Sequence, residues 1–354
     1  MKILQICAYS APYEGNFIKS LKALERCALE HGDETIYCFP KVNRNIDWCR
    51  EIEMNHIVYY LPLSHARFLP KTYLMLKRIF KENPDIAIAH SHFELYDTPL
   101  TLTAPKSVKI FWHLHDAIGT YLHGIYKYIW KIHYCWLSKR AILLSVSEKH
   151  KRVVIKLGFS SENAYYEPNA IDTERIRQVV PDRKTDTDFL ILGWDYIRKG
   201  VDLAEESIKL LSCNVKLGVA GGNVNEQTEI GRYSIVNVTP NNDINILFES
   251  TKCFLHISRA EGMSYALLEA LYAGLPVIIS NIEENMIAKN FPTAFIVKNE
   301  DVEEISSAMR SLISNDFKLS ETHVQKSRKM IEDNYSIQSW AERIFNDYMT
   351  LSIK

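Results

Sequence analysis

The sequence predicts an α/β protein made of two parallel-sheet domains. The chain has 354 residues, and at about 150 residues per domain this length favours two domains. Short apolar runs rich in β-branched and aromatic residues alternate with helical stretches, which is typical of a buried parallel sheet covered by helices on both faces. The alternation repeats in a second round after a polar, turn-prone stretch at residues 172–188.

The boundary between the two domains is expected in this polar stretch. We place an N-terminal domain at residues 1–172 and a C-terminal domain at residues 173–354, and we expect a last helix at about 337–351 to cross back to the N-terminal domain. Ligands of open parallel sheets bind beyond the carboxyl ends of the strands. The cleft between two such domains is therefore the expected ligand site.

Each predicted element is a run with strand or helix periodicity, bounded by turn residues. The first round has these predicted strands: 3–8, 35–39, 57–63, 86–90, 108–115 and 141–146. Its predicted helices are 16–30, 72–82 and 121–140. The second round has these predicted strands: 189–193, 215–220, 234–238, 253–257, 276–280 and 294–297. Its predicted helices are 201–211, 265–273, 302–313 and 322–333.

Composition excludes several classes of protein. Apolar residues make up 47% and charged residues 24% of the chain, as in a globular protein rather than a disordered one. The seven cysteines are odd in number and none has C-x-x-C spacing, so we expect neither a disulfide framework nor a zinc site of that type, and a cytoplasmic location. The start of the chain lacks the shape of a signal peptide, and we find no apolar run of the roughly 20 residues that span a membrane.

The most informative segment is residues 258–278, SRAEGMSYALLEALYAGLPVI. Ser264 can cap a helix that Gly274 ends, and the exposed N–H groups at the start of such a helix suit a phosphate. Glu261 lies just before this helix, and Glu269 follows it about two turns later. Carboxylates accept hydrogen bonds from sugar hydroxyls, so one elongated ligand could meet both. A core helix with two solvated glutamates remains the alternative.

This segment closely resembles the E-x7-E signature of retaining glycosyltransferases of family 4, which have the GT-B fold. The resemblance extends to three other segments: residues 193–202 (GWDYIRKGVD), 110–116 (IFWHLHD), and 145–148 with 167–172 (SVSE and EPNAID). It covers nearly the whole chain. It implies two Rossmann-like domains facing across a cleft, with the acceptor on the first and a nucleotide sugar on the second.

The resemblance also implies a role for individual residues. Glu269 would bind the ribose hydroxyls, and Glu261 would contact the hydroxyls of the donor sugar. Lys199 would neutralise the diphosphate, and His115 would touch the donor sugar as the active-site histidine. We take His115, Glu261 and Lys199 as catalytic. Two further donor contacts are expected from backbone N–H groups, at Met263 and Ser264.

The chain departs from the family pattern at two positions. Trp194 stands where the family usually has arginine. Arg198 is the candidate for the missing second cation, and the alternative is that the site works with one cation. Arginine grips phosphate in a bidentate way that lysine cannot match. The first loop has a single glycine, Gly15, instead of a pair, and we place Gly15 near the diphosphate.

Four histidines end two predicted strands, His90 and His92 on one, His113 and His115 on the other. Strand alternation puts each pair on one face of the sheet. These four residues with Asp116 could form a zinc site, but the family chemistry needs no metal, and we predict none. Asp186 and Asp188 form an Asp-x-Asp motif, which can hold a divalent metal when it follows a buried strand. Here the motif precedes a strand, in the linker, and we interpret it as solvated linker.

Two segments combine cations with aromatic residues, at 67–81 and 121–140, in a half of the chain (residues 1–170) whose net charge is +6. Such helices either pack on the sheet or lie on an anionic membrane. No nucleic-acid partner is expected. The resemblance implies a retaining, metal-independent hexosyl- or N-acetylhexosaminyltransferase without a cofactor, which uses a nucleotide sugar, UDP-linked by preference, and a glycan or lipid-linked acceptor of bacterial surface polysaccharide. A phosphorylase, a sugar-nucleotide epimerase and an inactive assembly scaffold are the alternatives.

Overall fold

The computed structural model describes residues 1–115, 126–180, 183–221, 228–230, 233–238, 243–314 and 319–353. The chain divides into two compact units. Unit 1 contains Met1–Asn169 together with Ile337–Lys354, and unit 2 contains Ala170–Ser336. The division lies three residues before the predicted boundary. Among the described residues, no helix is both long and apolar enough to cross a membrane.

Unit 1 is built on a parallel sheet of seven strands in the order β3-β2-β1-β4-β5-β6-β7. The strands are β1 (Lys2–Cys7), β2 (Glu34–Pro40), β3 (Val58–Leu61), β4 (Ile86–His92), β5 (Lys109–Leu114), β6 (Ala141–Ser145) and β7 (Ala164–Tyr166). The connecting helices are α1 (Gly15–Glu30), α2 (Asp47–Asn55), α3 (Pro70–Glu82), α4 (Asp97–Thr103), α5 (Tyr126–Leu137) and α6 (Glu148–Lys156).

Both faces of this sheet are buried, as near-continuous apolar strands predict. Leu4 and Ile6 of β1 belong to one apolar core, which α3, α5 and α6 also line. Cys7 faces the opposite side, where it packs in a second core with Phe17 and Leu21 of α1. The order of the strands reverses between β1 and β4, and the crevice at such a reversal is where ligands of this fold class bind.

Unit 2 repeats the plan with the order β10-β11-β9-β8-β12-β13-β14. Its strands are β8 (Thr187–Leu192), β9 (Val215–Ala220), β10 (Thr228–Ile230), β11 (Tyr233–Val238), β12 (Thr251–His256), β13 (Val277–Ser280) and β14 (Ala294–Val297). Its helices are α7 (Val201–Lys209), α8 (Ile244–Glu249), α9 (Tyr265–Ala273), α10 (Val302–Ile313) and α11 (Glu321–Tyr335). Only β10 pairs in the antiparallel direction among the described strands. The strand order reverses between β8 and β12.

A last helix, α12 (Ile337–Thr350), belongs to unit 1 although it follows all of unit 2 in the chain. It packs on α1. Tyr348 of α12 is fully buried and accepts a hydrogen bond of 3.0 Å from Gln5 Nε2 of β1. Lys109 Nζ donates a further hydrogen bond of 2.6 Å to the backbone oxygen of Tyr348.

The predicted elements are present with shifts of a few residues, and the helices at 265–273 and 302–313 have the predicted bounds. The strands at 86–90 and 253–257 are displaced or extended in the structure, because polar residues such as His92 continue the ladder. The sequence missed short elements without clear periodicity, α2, α4, α6, α8, β7 and β10. The predicted helix 121–140 is α5 where it is described, and residues 116–125 lie outside the described part.

Candidate functional site

The predicted donor-site residues of unit 2 follow the two strands at which the sheet order reverses. Strand β8 leads into residues 193–200 and then α7, and strand β12 leads into residues 257–264 and then α9. The two loops touch at Gly200, whose φ is +76° and where an added Cβ would lie 2.5 Å from the backbone oxygen of Ile257. Only glycine fits this position, so the close approach of the two loops is built into the sequence.

Lys199 and Glu261 form a buried ion pair between these loops. Lys199 Nζ donates to Glu261 Oε1 at 2.6 Å, and both residues are buried. Burial acts to raise the pKa of Glu261, but the neighbouring His256 and Lys199 and the hydrogen bond from Lys199 outweigh it, so the pKa of Glu261 is lowered. Glu261 is therefore a carboxylate at neutral pH, and it is paired with the side chain of Lys199.

Arg198 brings a second cation to the same carboxylate. Its Nη1 lies 3.5 Å from Glu261 Oε2 and donates to the backbone oxygen of Ala260 at 3.2 Å. Its Nε donates to Asp195 Oδ2 at 2.8 Å. Arg198 therefore lies beside Lys199, where the family resemblance implies a second cation, but its guanidinium also forms an ion pair with Asp195.

The indole ring of Trp194 packs against both cations. The guanidinium carbon of Arg198 lies 4.4 Å and Lys199 Nζ 4.9 Å from the ring centroid. These distances suit cation–π attraction. Trp194 is nevertheless 62% exposed. Trp194, at the position of the family arginine, therefore packs against Arg198 and Lys199 and adds no charge of its own.

His256 at the end of β12 is a site residue that the sequence analysis missed. It is buried, and its Nε2 lies 3.9 Å from Glu261 Oε1. Burial lowers the pKa of His256 to about 4, with the charges of Lys199 and Arg198 acting in the same direction and Glu261 and Asn285 opposing. The ring is therefore neutral at pH 7, which leaves the two basic side chains as the cations around Glu261.

Helix α9 starts and ends where the sequence predicts. The Ser264 hydroxyl accepts a hydrogen bond of 3.3 Å from the Leu267 backbone N–H, and Gly274 ends the helix with a φ of +85°. Met263 is buried directly before the cap. The cap of α9, Ser264, therefore lies three residues after Glu261, so the helix N-terminus and the ion pair belong to one region of unit 2.

Glu269 lies about one turn into α9, where it pairs with Arg175. The carboxylate is buried, and Arg175 Nη2 donates to its Oε1. Arg175 lies in a short 3₁₀ turn, Thr173–Arg175, whose carbonyl at Arg175 accepts a hydrogen bond of 2.8 Å from Asn245 Nδ2. Glu269, which the sequence predicts to bind the ribose, is therefore paired with an arginine that no sequence pattern predicted.

In unit 1, Gly15 is the first residue of α1, directly after the loop that leaves β1. Its φ is +58°, and an added Cβ would lie 3.1 Å from Tyr9 Oη. The left-handed conformation explains why glycine stands here. Phe17, two residues later, contacts the ring of His115 with 5.2 Å between centroids. Gly15 and His115 therefore lie in one neighbourhood of unit 1.

His115 ends a buried hydrogen-bonded chain that starts at α12. Gln5 Nε2 donates to Tyr348 Oη, which lies 2.6 Å from His90 Nδ1. His92 Nε2 lies 3.0 Å from Gln5 Oε1, and His92 Nδ1 lies 3.0 Å from His115 Nε2.

The other nitrogen of His115, Nδ1, lies 3.0 Å from the side-chain amide of Asn169. The amide atom at this distance is Oδ1, which can only accept, so Nδ1–H donates to it. Burial lowers the pKa of His115 to about 4, and the contact with Asn169 opposes this only in part. His115 is thus a neutral ring with both nitrogens engaged inside unit 1.

His90, His92 and His113 form a stack behind His115. Nitrogen atoms of these three residues lie within 4.8 Å of one another, as in groups that could hold a metal ion. Within the described part of the chain, His90 Nε2 and both nitrogens of His113 have no hydrogen-bond partner. However, both nitrogens of His92 are engaged, and the rings of His90 and His113 are parallel within 3°. The fifth candidate ligand, Asp116, lies outside the described residues, and the absence of a metal stays a prediction.

Comparison with known protein families identifies both halves of the chain. The model described as "Glycosyltransferase Family 4" matches residues 22–175, and the one described as "Glycosyl transferases group 1" matches residues 172–335. Together they cover the chain from 22 to 335. This chain belongs to the GT-B glycosyltransferases of family 4.

Individual proteins are similar to this family-4 chain to different extents. The UDP-Gal:alpha-D-GlcNAc-diphosphoundecaprenol alpha-1,3-galactosyltransferase of Escherichia coli is 28% identical over 113 residues, which are 32% of this chain and 29% of that protein. A glycosyltransferase of Rickettsia africae matches in structure with a TM-score of 0.77 at 14% identity, over 99% of each chain. Anabaena HepE in complex with UDP matches with a TM-score of 0.75 at 13% identity, over 99% of this chain and 100% of HepE. These two structures share the GT-B fold, as predicted.

Proposed function

We propose that this family-4 chain transfers a hexosyl or N-acetylhexosaminyl group from a UDP-sugar to a lipid-linked glycan acceptor, with retention of anomeric configuration and without a metal ion. The process would be the synthesis of a bacterial cell-surface polysaccharide at the cytoplasmic face of the membrane. The observation that carries the proposal is the cluster of Lys199, Arg198 and Glu261 at the strand reversal of unit 2, directly before α9.

This cluster suits the donor half of the reaction. A leaving nucleoside diphosphate gains negative charge in the transition state, and fixed cations that face it are the expected main source of catalysis. Lys199 lies between a carboxylate and an aromatic face, which fixes its position before the substrate arrives. The helix N-terminus at Ser264 adds backbone N–H groups that suit the phosphates.

The proposed acceptor and nucleotide rest on the similar proteins. HepE was solved with UDP, and the galactosyltransferase from Escherichia coli is named for a UDP-sugar donor and a diphosphoundecaprenol acceptor. For retention, the family resemblance implies transfer on one face of the sugar. There a phosphate oxygen of the donor takes the proton of the acceptor hydroxyl, so that no protein nucleophile is needed.

Nucleotide binding is the first test. Calorimetry with UDP, GDP, ADP and their sugars should show UDP binding in the absence of divalent metal, and Lys199→Ala should weaken it. Lys209→Ala is the matched control, because Lys209 is a lysine of unit 2 that pairs with Glu206 on the surface. Transfer to a GlcNAc-diphosphopolyprenol, with the product anomer read by NMR, tests the rest.

One observation favours an inactive scaffold instead, namely the replacement of the family arginine by Trp194. A folded protein that binds none of the nucleotides would support this second candidate. Hydrolysis or epimerisation of the donor without an acceptor would support the other enzyme classes.

A further inference from the structure

Arg259 joins the two loops that carry the proposed donor-site residues of unit 2. It lies two residues before Glu261, in the loop after β12. Its backbone N–H donates a hydrogen bond of 2.8 Å to the backbone oxygen of Arg198, and its guanidinium Nη1 donates to the backbone oxygen of Ile197. Both acceptors lie in the loop after β8, directly before Lys199. One residue therefore connects the loop of Glu261 to the backbone of the loop of Lys199.

Two carboxylates from other elements hold the guanidinium of Arg259. Asp202, in the first turn of α7, accepts from Nη1 at 2.8 Å and from Nη2 at 2.7 Å. Glu300, after β14, accepts from Nε at 2.9 Å. The arginine fork matches a carboxylate with two parallel hydrogen bonds, which a lysine cannot form. Because these donors are engaged within unit 2, the position of Arg259 is fixed before any substrate binds.

The position of Lys199 relative to Glu261 should depend on this connection. The backbone N–H of Lys199 donates to the backbone oxygen of Asp195 at 2.8 Å, which is a bond within one loop. It fixes the shape of that loop but not its distance from Glu261. The bonds from Arg259 cross between the loops and act on this distance directly. A shift of about 1 Å in a catalytic contact can lower a rate by roughly 100-fold.

We propose that Arg259 is a positioning residue of the donor site, which holds the loop after β8 so that Lys199 faces the leaving diphosphate of the nucleotide sugar. Arg259 acts through this loop and does not itself touch the substrate. Its role rests on the proposed function, since the diphosphate is the proposed ligand of Lys199. The connection between the two loops is nevertheless measurable without any nucleotide, so the two proposals can fail separately.

Turnover of Arg259→Met is the first test, because this change removes the guanidinium and keeps most of the side-chain length. We expect kcat to fall at least tenfold, measured by release of UDP with GlcNAc-diphosphopolyprenol as the acceptor, whereas the Kd of UDP should change less than threefold. Charge on the diphosphate grows in the transition state, where a misplaced cation costs most. Arg259→Lys keeps the charge without the fork and should lose at least threefold in kcat, which provides a milder variant if Arg259→Met does not fold.

Arg183→Met is the matched control, because Arg183 ties the same two strands at their opposite ends. It precedes β8, and its guanidinium donates to the backbone oxygens of Phe248, Glu249 and Thr251, at the start of β12. Loss of these bonds should lower stability to urea, but kcat should stay within twofold of that of the unchanged protein. A tenfold loss of kcat in Arg183→Met would show that the effect is not specific to Arg259, and would overturn the proposal.

Two further measurements separate positioning from a general loss of structure. In Lys199→Ala, the added change Arg259→Met should lower kcat less than threefold, because Arg259 acts through Lys199, and a further tenfold loss would overturn the proposal. Without nucleotide, amide hydrogen exchange of residues 195–201 should be at least tenfold faster in Arg259→Met and unchanged in Arg183→Met. Unchanged exchange or unchanged kcat in Arg259→Met would also overturn it. Faster exchange in a protein that does not bind UDP would refute the proposed function and support the connection between the loops.

Discussion

Lys199 Nζ lies 2.6 Å from Glu261 Oε1, so two residues predicted to serve the donor sugar and its diphosphate are paired with each other. Both are buried. Removing one partner of such a pair leaves an uncompensated buried charge, which typically lowers the free energy of unfolding by about 3–5 kcal/mol. The pair therefore belongs both to the site and to the stability of unit 2.

The stability of this pair can be measured by a double-mutant cycle. Lys199→Met and Glu261→Gln should each lower the free energy of unfolding in urea, and the double variant should lose at least 1 kcal/mol less than the sum of the two, since each single change strands a partner. The surface pair Lys209 and Glu206 is the control, with an expected coupling below about 1 kcal/mol. If the losses in free energy of unfolding at Lys199 and Glu261 were additive, the two side chains would not be energetically coupled, which would contradict the ion pair.

Turnover should depend on the two adjacent cations together. Lys199→Ala should lower kcat by about 100-fold, as removal of one fixed electrostatic contact to a transition state does. If Arg198 replaces the missing family arginine, Arg198→Ala/Lys199→Ala should be far slower than Lys199→Ala alone. Normal kcat in Lys199→Ala, measured by release of UDP, would refute the role.

Trp194→Arg should restore the cation that the family pattern has at this position. A charge-assisted hydrogen bond to phosphate contributes about 1.5–3 kcal/mol, and the lost cation–π contacts about 0.5–1 kcal/mol each. We therefore expect UDP affinity to rise by up to about tenfold, measured by calorimetry, whereas Trp194→Ala should lower it. Weaker binding in Trp194→Arg would mean that orientation of Arg198 and Lys199 matters more than an added charge.

Glu269→Ala should weaken UDP binding by roughly ten- to a hundredfold, because it removes an acceptor for two ribose hydroxyls worth about 1.5–3 kcal/mol. Ribose-free diphosphate should bind equally to both proteins, which separates the sugar contact from the phosphate contact. The control is Glu321→Ala, an exposed carboxylate at the start of α11. An unchanged affinity for UDP in folded Glu269→Ala would refute the assignment, and would leave Glu269 as a structural partner of Arg175.

The buried histidines of unit 1 predict a loss of stability in acid. Burial lowers the pKa values of His90, His92 and His113 well below their usual range and that of His115 to about 4. The unfolded chain takes up these protons near pH 6.5, whereas the folded chain does not. Each of these histidines should therefore lower the free energy of unfolding by about 1.4 kcal/mol per pH unit as the pH falls from about 6.5 to 4. Buried carboxyl groups of unit 1 act in the opposite direction over this range, because burial raises the pKa values of Asp97 and Glu167 to about 7 and that of Asp347 to about 6. The contribution of one histidine is therefore measured with a variant.

His113→Phe tests this origin, because His113 is fully buried and neither of its nitrogens has a hydrogen-bond partner among the residues that the structure describes. We expect the free energy of unfolding in urea, measured between pH 5 and 7.5, to change with pH less steeply in the variant than in the unchanged protein, by about one proton. At pH 7.5 the variant should be as stable as the unchanged protein or more stable. The same slope in both proteins would show that His113 does not contribute to the acid sensitivity.

Local chemistry explains what the sequence predicted well. The bounds of α9 follow from Ser264 and Gly274, whose capping roles depend only on their neighbours in the chain. Strand alternation likewise predicted that His90 with His92, and His113 with His115, share a face, and the four rings stack as a group. The family pattern supplied the roles of the site residues, which stay predictions.

Contacts between residues far apart in the chain could not be predicted from the sequence. Arg175 and Glu269 are 94 residues apart, and Arg175 lies in a turn that has no periodic signal. Tyr348 and His90 are 258 residues apart, so the start of the histidine chain depends on where α12 packs. His256 ends an apolar strand, and only the fold places it behind Glu261.

The return of α12 to unit 1 has a consequence for synthesis of the protein. A ribosome releases residues 170–336 before α12, so unit 2 can fold while unit 1 still lacks its last 14-residue helix. Domains generally fold as units as they emerge. Until Tyr348 arrives, Gln5 and His90 have no cover from α12. The first-made half of this protein is therefore the last to be completed, and a nascent chain stopped before residue 337 would present a finished second unit beside an open first one.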